Sequence, residues 1–134
     1  MNQIESLDFV HLHVHSEYSL VDGIIRIEEL IDHSVNLGYH SVALTDLTNL
    51  FGLIEFYRSA RKKGIKPIVG SEINVAKDKD SIAAPLVLLA ANKQGYINLT
   101  KLVSKAYVEG QINGEPTVLF SWLEEFSEGI IALS

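Results

Sequence analysis

The chain has 134 residues, 47% of them hydrophobic, with a mean hydropathy of +0.17, which is enough for one domain with a real core and excludes a disordered tail. Its 17 acidic residues against 11 basic ones leave a formal charge of -6, which excludes a chain that wraps nucleic acid by itself, because phosphate binding needs clustered Lys and Arg. There is no cysteine, no apolar run of membrane-spanning length, and no basic and apolar start of the signal-peptide kind in MNQIESLD, so the expectation is a cytoplasmic protein with no membrane partner.

In chain order, the hydrophobic period switches repeatedly between two and three-to-four, the pattern of alternating strands and helices. The first predicted strand is Asp8 to Val14. A stripe of Ile27, Leu30, Ile31 and Val35 predicts the first helix, closed by Gly38. The strand His40 to Thr45 follows, then a helix with the stripe Leu50, Leu53, Ile54, Tyr57 and Ala60, closed by Gly64. Around its end lie Arg58, Arg61, Lys62, Lys63 and Lys66. Four of these five sit where a helix dipole already favours positive charge, so a solvated surface accounts for them.

The strands Lys66 to Val75 and Pro85 to Ala91 flank a charged loop at Lys77 to Asp80. Leu99, Leu102, Val103, Ala106 and Tyr107 predict a third helix, closed by Gly110, and Ser121 with Glu124 reads as a capping box opening a short fourth. The last strand is Gly129 to Leu133. Near-continuous apolar strands alternating with helices predict an α/β fold with a mainly parallel sheet. A strand at the very end with no helix to cover it predicts a fragment of a longer protein, one that self-associates along the exposed edge.

The chemistry-bearing stretch is HLHVHSEYSLVDG. On a strand, His11, His13 and His15 would project from one face, neighbours about 7 Å apart, so two of them could share an ion. A hydrogen-bonded structural role is the competing reading. Thr45-Asp46 ends the next strand and Gly70-Ser71-Glu72 lies within or near the end of the one after, and strand C-terminal ends are where sites collect in α/β folds. All three groups are expected at one rim.

These stretches, with ALTDLTNLFGLIEFYRSARKKGIKPIVGSEINV and LVLLAANKQGYINLTKLVSKAYVEG, closely resemble the N-terminal polymerase and histidinol phosphatase (PHP) domain of bacterial DNA polymerase III alpha subunits, from about Phe9 to Ser134. The resemblance implies a single partial domain over residues 1–134: part of a distorted (βα)7 TIM-like barrel, truncated and not closed. In active members of that family a rim of His, Asp and Glu holds up to three metal ions. Matched residue by residue, His13 and His15 are the H-x-H pair, Asp22 the acid before glycine and Glu72 the carboxylate of the third strand, while His11 lies outside the pattern.

Two ligands are lost. Active members read Thr-Asp-His-Gly where this chain has Thr45-Asp46-Leu47-Thr48, and they place another histidine where it has Pro85. Neither replacement has a side-chain lone pair. The resemblance therefore implies a vestigial metal site in a non-catalytic scaffold, which supports the polymerase and docks the proofreading exonuclease subunit. Residual binding would be limited to weakly held zinc or manganese. The parent chain would be the DNA-directed DNA polymerase, using magnesium, contacting DNA and joining the other holoenzyme subunits. The competing enzyme reading is a metal-dependent phosphoesterase or 3'-5' exonuclease on the same residues.

Overall fold

The computed structural model describes residues 10–19 and 25–134. Asp22, and the start of the strand expected at Asp8, lie outside the described residues. The order of elements is α1 (Ile27–Asn36), β1 (Ser41–Leu47), α2 (Leu53–Lys62), β2 (Lys66–Ala76), β3 (Ala84–Ala90), α3 (Lys93–Glu109), β4 (Gln111–Ile112), β5 (Glu115–Leu119), α4 (Phe120–Glu125) and β6 (Ile130–Leu133).

The α/β class stands, with the six strands found among the described residues in one open sheet ordered β4-β5-β2-β3-β6 and β1 also on β2. The expectation of a mainly parallel sheet is corrected. β2 pairs in parallel with β1 and β5, but β2 with β3, β3 with β6, and β4 with β5 are antiparallel. The chain returns from β2 to β3 through the short exposed loop around Lys77 to Asp80, too short for the crossover that a parallel neighbour requires.

Two apolar clusters hold the sheet. Ile27 and Ile31 of α1 and Phe56 and Ala60 of α2 pack on Val42 and Leu44 of β1. On α3, Leu99, Leu102, Val103 and Ala106 pack on Ile73, Leu88 and Val118. The stripe read for α2 is therefore off by part of a turn: Phe56 is fully buried, whereas Ile54 is 66% and Tyr57 47% exposed.

Gly38 and Gly64 have φ of 75° and 74°, the left-handed ends expected of them. Gly110, at φ -108°, does not. It is needed because a Cβ there would lie 2.0 Å from the Thr117 carbonyl oxygen, where β5 crosses the helix end. The capping box is also corrected: α4 begins at Phe120 with Leu119 at its N-cap and no side-chain cap, so Ser121 lies inside the helix.

The tract from Asn92 to Leu99 has a structural reason. Asn92 Oδ1 accepts the Gly95 N–H at 2.9 Å and caps α3. Asn98 Nδ2 donates to the Glu128 carbonyl at 2.9 Å, and the Ala91 N–H to the Gly129 carbonyl at 2.8 Å. These bonds tie the entrance of α3 to the turn that leads into β6.

Candidate metal centre

Residues 10–14 run along the free edge of β1 but form no regular strand. The Ala43 N–H meets the His11 carbonyl at 3.3 Å, and the Thr45 N–H meets the Val14 carbonyl at 2.8 Å. Three residue steps on one side oppose two on the other, so the segment carries an extra residue, as in a bulge. Strict alternation is broken there. This corrects the picture of three histidines on one face: the His11 ring packs edge-on against Tyr39, centroids 5.7 Å apart, while His13 and His15 meet each other at 5.2 Å.

Both of the latter turn to Glu72. Its Oε2 lies 2.5 Å from His15 Nε2 and 3.2 Å from His13 Nε2. The Glu72 and His15 side chains are only 13% and 15% exposed, and that of His13 is 55% exposed, so one side of the group is open to solvent. Glu72 is positioned by register, since β2 places it directly beside Leu47 at the end of β1. Thr48, next in line, has φ of 46° and donates its N–H to the Glu72 carbonyl at 2.7 Å. A β-branched residue is strained in this left-handed region, which glycine would occupy at less cost.

Among the described residues, His13, His15 and Glu72 form a group whose ligand atoms all lie within 4.8 Å of one another. Two imidazole nitrogens and a carboxylate oxygen suit one first-row ion. With bonds of about 2.1 Å, a tetrahedral centre needs donors roughly 3.4 Å apart, within reach of small side-chain rotations. The group does not suit a second ion. Leu47 and Pro85 stand on the same sheet face as Glu72, Leu47 beside it and Pro85 opposite Asn74 two residues on, and neither offers a donor.

The residue that the sequence reading left without a role is Asp46. Its side chain, in a residue 2% exposed, accepts the Ser16 N–H at 2.5 Å, the Ser16 hydroxyl at 2.7 Å and the Ser19 hydroxyl at 2.9 Å. Ser19 Oγ in turn accepts the Leu47 N–H at 2.9 Å. The turn after His15 is thus fastened to the end of β1. Tyr18 extends the fastening to α2 through a 3.3 Å bond to Glu55, whose negative charge raises the phenol above its ordinary pKa. The sequence signal was available: an acid after a buried strand, and two serines just past the H-x-H pair.

Comparison with known proteins places these observations in a family. The PHP domain model matches residues 11–134. The DNA polymerase III subunit alpha of Pseudomonas aeruginosa is 45% identical over 130 residues, covering 96% of this chain and 11% of that protein. The same subunit of Escherichia coli K12 is 47% identical over 128 residues, covering 94% and 11%. The chain therefore spans about a tenth of the length of these curated relatives. Among solved structures, an amidohydrolase from Chromobacterium violaceum, with bound sulfate and no metal, superposes with a TM-score of 0.54 at 27% identity, over 72% of this chain and 34% of that one. A protein from Bifidobacterium adolescentis described as a metal-dependent phosphoesterase gives 0.53 at 22% identity, over 73% and 34%, a likeness of fold.

Proposed function

The chain belongs to the PHP domain family, and on that premise we propose that it is the N-terminal part of a DNA polymerase III alpha subunit, serving DNA replication as a non-catalytic scaffold with an eroded metal site. The observation that carries the reading is Leu47 in register beside Glu72. A hydrocarbon side chain there leaves three donors, enough for one weakly held ion and too few for the multinuclear cluster of active members. Asp22, matched to the family's acid before glycine, would be a fourth donor; it and the other three are best read as structural remnants. In the full polymerase the domain supports the catalytic part and docks the proofreading exonuclease subunit. Nucleotidyl transfer, its magnesium and the contacts with DNA then belong to the rest of the parent chain, in the setting of the replicative holoenzyme.

A bound zinc or manganese ion would supply Lewis acidity and a more acidic water. His13, His15 and Glu72 would hold it. That donor set favours a second reading, a metal-dependent phosphoesterase or 3'-5' exonuclease. A gel assay with labelled primer-template separates the two. In magnesium or manganese the 134-residue chain is expected neither to extend nor to degrade the primer above background. Degradation that disappears in His13→Ala would establish the enzyme reading instead, and degradation indifferent to that change would mark a contaminant.

A further inference from the structure

Asp46 is not a member of the donor group, yet it touches both chain segments that supply the donors. Its carboxylate binds Ser16, the residue after His15, through both the main-chain N–H and the hydroxyl, and it also binds the Ser19 hydroxyl. Its own carbonyl accepts the hydroxyl of Ser71 at 2.7 Å, and Ser71, fully buried, is the residue before Glu72. His15 and Glu72 come from distant parts of the sequence, and Asp46 holds the immediate neighbour of each. A buried carboxylate is tolerated only when donors replace its lost hydration, and charge-assisted bonds of this kind are short and directional.

We propose that Asp46 is a positioning residue that fixes the His15 imidazole against the Glu72 carboxylate. The inference rests on the reading of His13, His15 and Glu72 as the remnant donor group. Main-chain and hydroxyl bonds to the same carboxylate fix both the position and the orientation of Ser16, which leaves His15, one peptide unit upstream, little freedom to swing. Without the carboxylate, three buried donors lose their acceptor, and the turn at Glu17 to Ser19 must open to reach water.

The test is proton NMR on the whole 134-residue chain, following the nuclear Overhauser contact between the His15 ring and the Glu72 side chain, with contacts of the Phe56 ring as an internal check on the core. In Asp46→Ala the His15 contact is expected to vanish while those of Phe56 persist. In Ser16→Ala, which removes one of the three bonds, it is expected to weaken. Zinc affinity, measured by competition with a chelating dye, should fall about 10–100-fold in Asp46→Ala, the range found when partners behind a metal ligand are removed.

A His15 contact retained in Asp46→Ala with an intact core would overturn the proposal. So would loss of folding in Asp46→Ala combined with an unchanged contact in Ser16→Ala, which would make Asp46 a stabilising residue and nothing more. Two or more tightly bound zinc ions on the unmutated 134-residue chain would overturn the eroded-site reading, whereas with one ion or none that reading stands, and in every case the NMR contact decides the role of Asp46.

Discussion

Replacing Phe56 by alanine is expected to destabilise the chain by about 3–5 kcal/mol, the range for deleting a fully buried aromatic ring. Phe56 has no exposed surface and packs among Ile27, Ile31, Val42, Leu44 and Ala60, where α1, α2 and β1 meet. The ring is large and its neighbours are held on three separate elements, so collapse into the cavity would require helices to shift. A domain of this size has only about 5–15 kcal/mol to lose. Urea denaturation followed by far-UV circular dichroism should therefore show a sharply lower midpoint or no folded baseline. A loss below about 1 kcal/mol would mean that α2 does not bury this face. Tyr57→Ala provides the contrast: that ring is half exposed, and the change should cost far less.

Gly95→Ala is expected to be nearly as damaging, although alanine is the better helix former by about 1 kcal/mol. A Cβ at Gly95 would lie 1.9 Å from the Gly129 carbonyl oxygen. The obstacle is backbone, so no side-chain rotation relieves it. The entrance of α3 would have to part from the turn before β6, with loss of the Asn98 bond to Glu128 and the Ala91 bond to Gly129. The cost should reach about 3 kcal/mol, the upper part of the range for overpacking. Gly38→Ala serves as a control, because nothing lies within 4 Å of its Cβ and only the φ of 75° opposes the change, at about 1 kcal/mol. Equal midpoints for the two variants would contradict the close approach of Gly95 to Gly129.

Periodicity and glycine punctuation located three of the helices and most of the strands, because those signals are local. Phe56 shows the limit. The apolar residues of α2 surround most of the helix, and the face turned inward was settled by contact with α1 and β1, a tertiary matter that spacing does not encode. Asn113-Gly114 is a signal that went unread. Both residues have positive φ, 52° and 79°, and they join β4 to β5 in a two-residue hairpin, the geometry that Asn-Gly favours.

At the site, residue types were legible and their arrangement was not. His13, His15 and Glu72 lie together in one group, and Leu47 is in register beside Glu72. The separation of His11 from the other two depends on an extra residue in a carbonyl pairing with β1, which no alternation of side chains reveals. Asp46 was passed over for a related reason. The missing histidine at position 47 draws attention to lost donors, whereas the bonds of Asp46 go to Ser16 and Ser19, across a turn whose path the sequence does not specify.

The measurement that bears most directly on an eroded site is the number of ions the chain holds. Calorimetric titration with zinc and with manganese, supported by native mass spectrometry, is expected to give at most one weakly bound ion per chain, abolished by Glu72→Ala. Two or more tightly bound ions per chain would contradict the account, because the donors grouped among the described residues suit one ion and neither Leu47 nor Pro85 adds another.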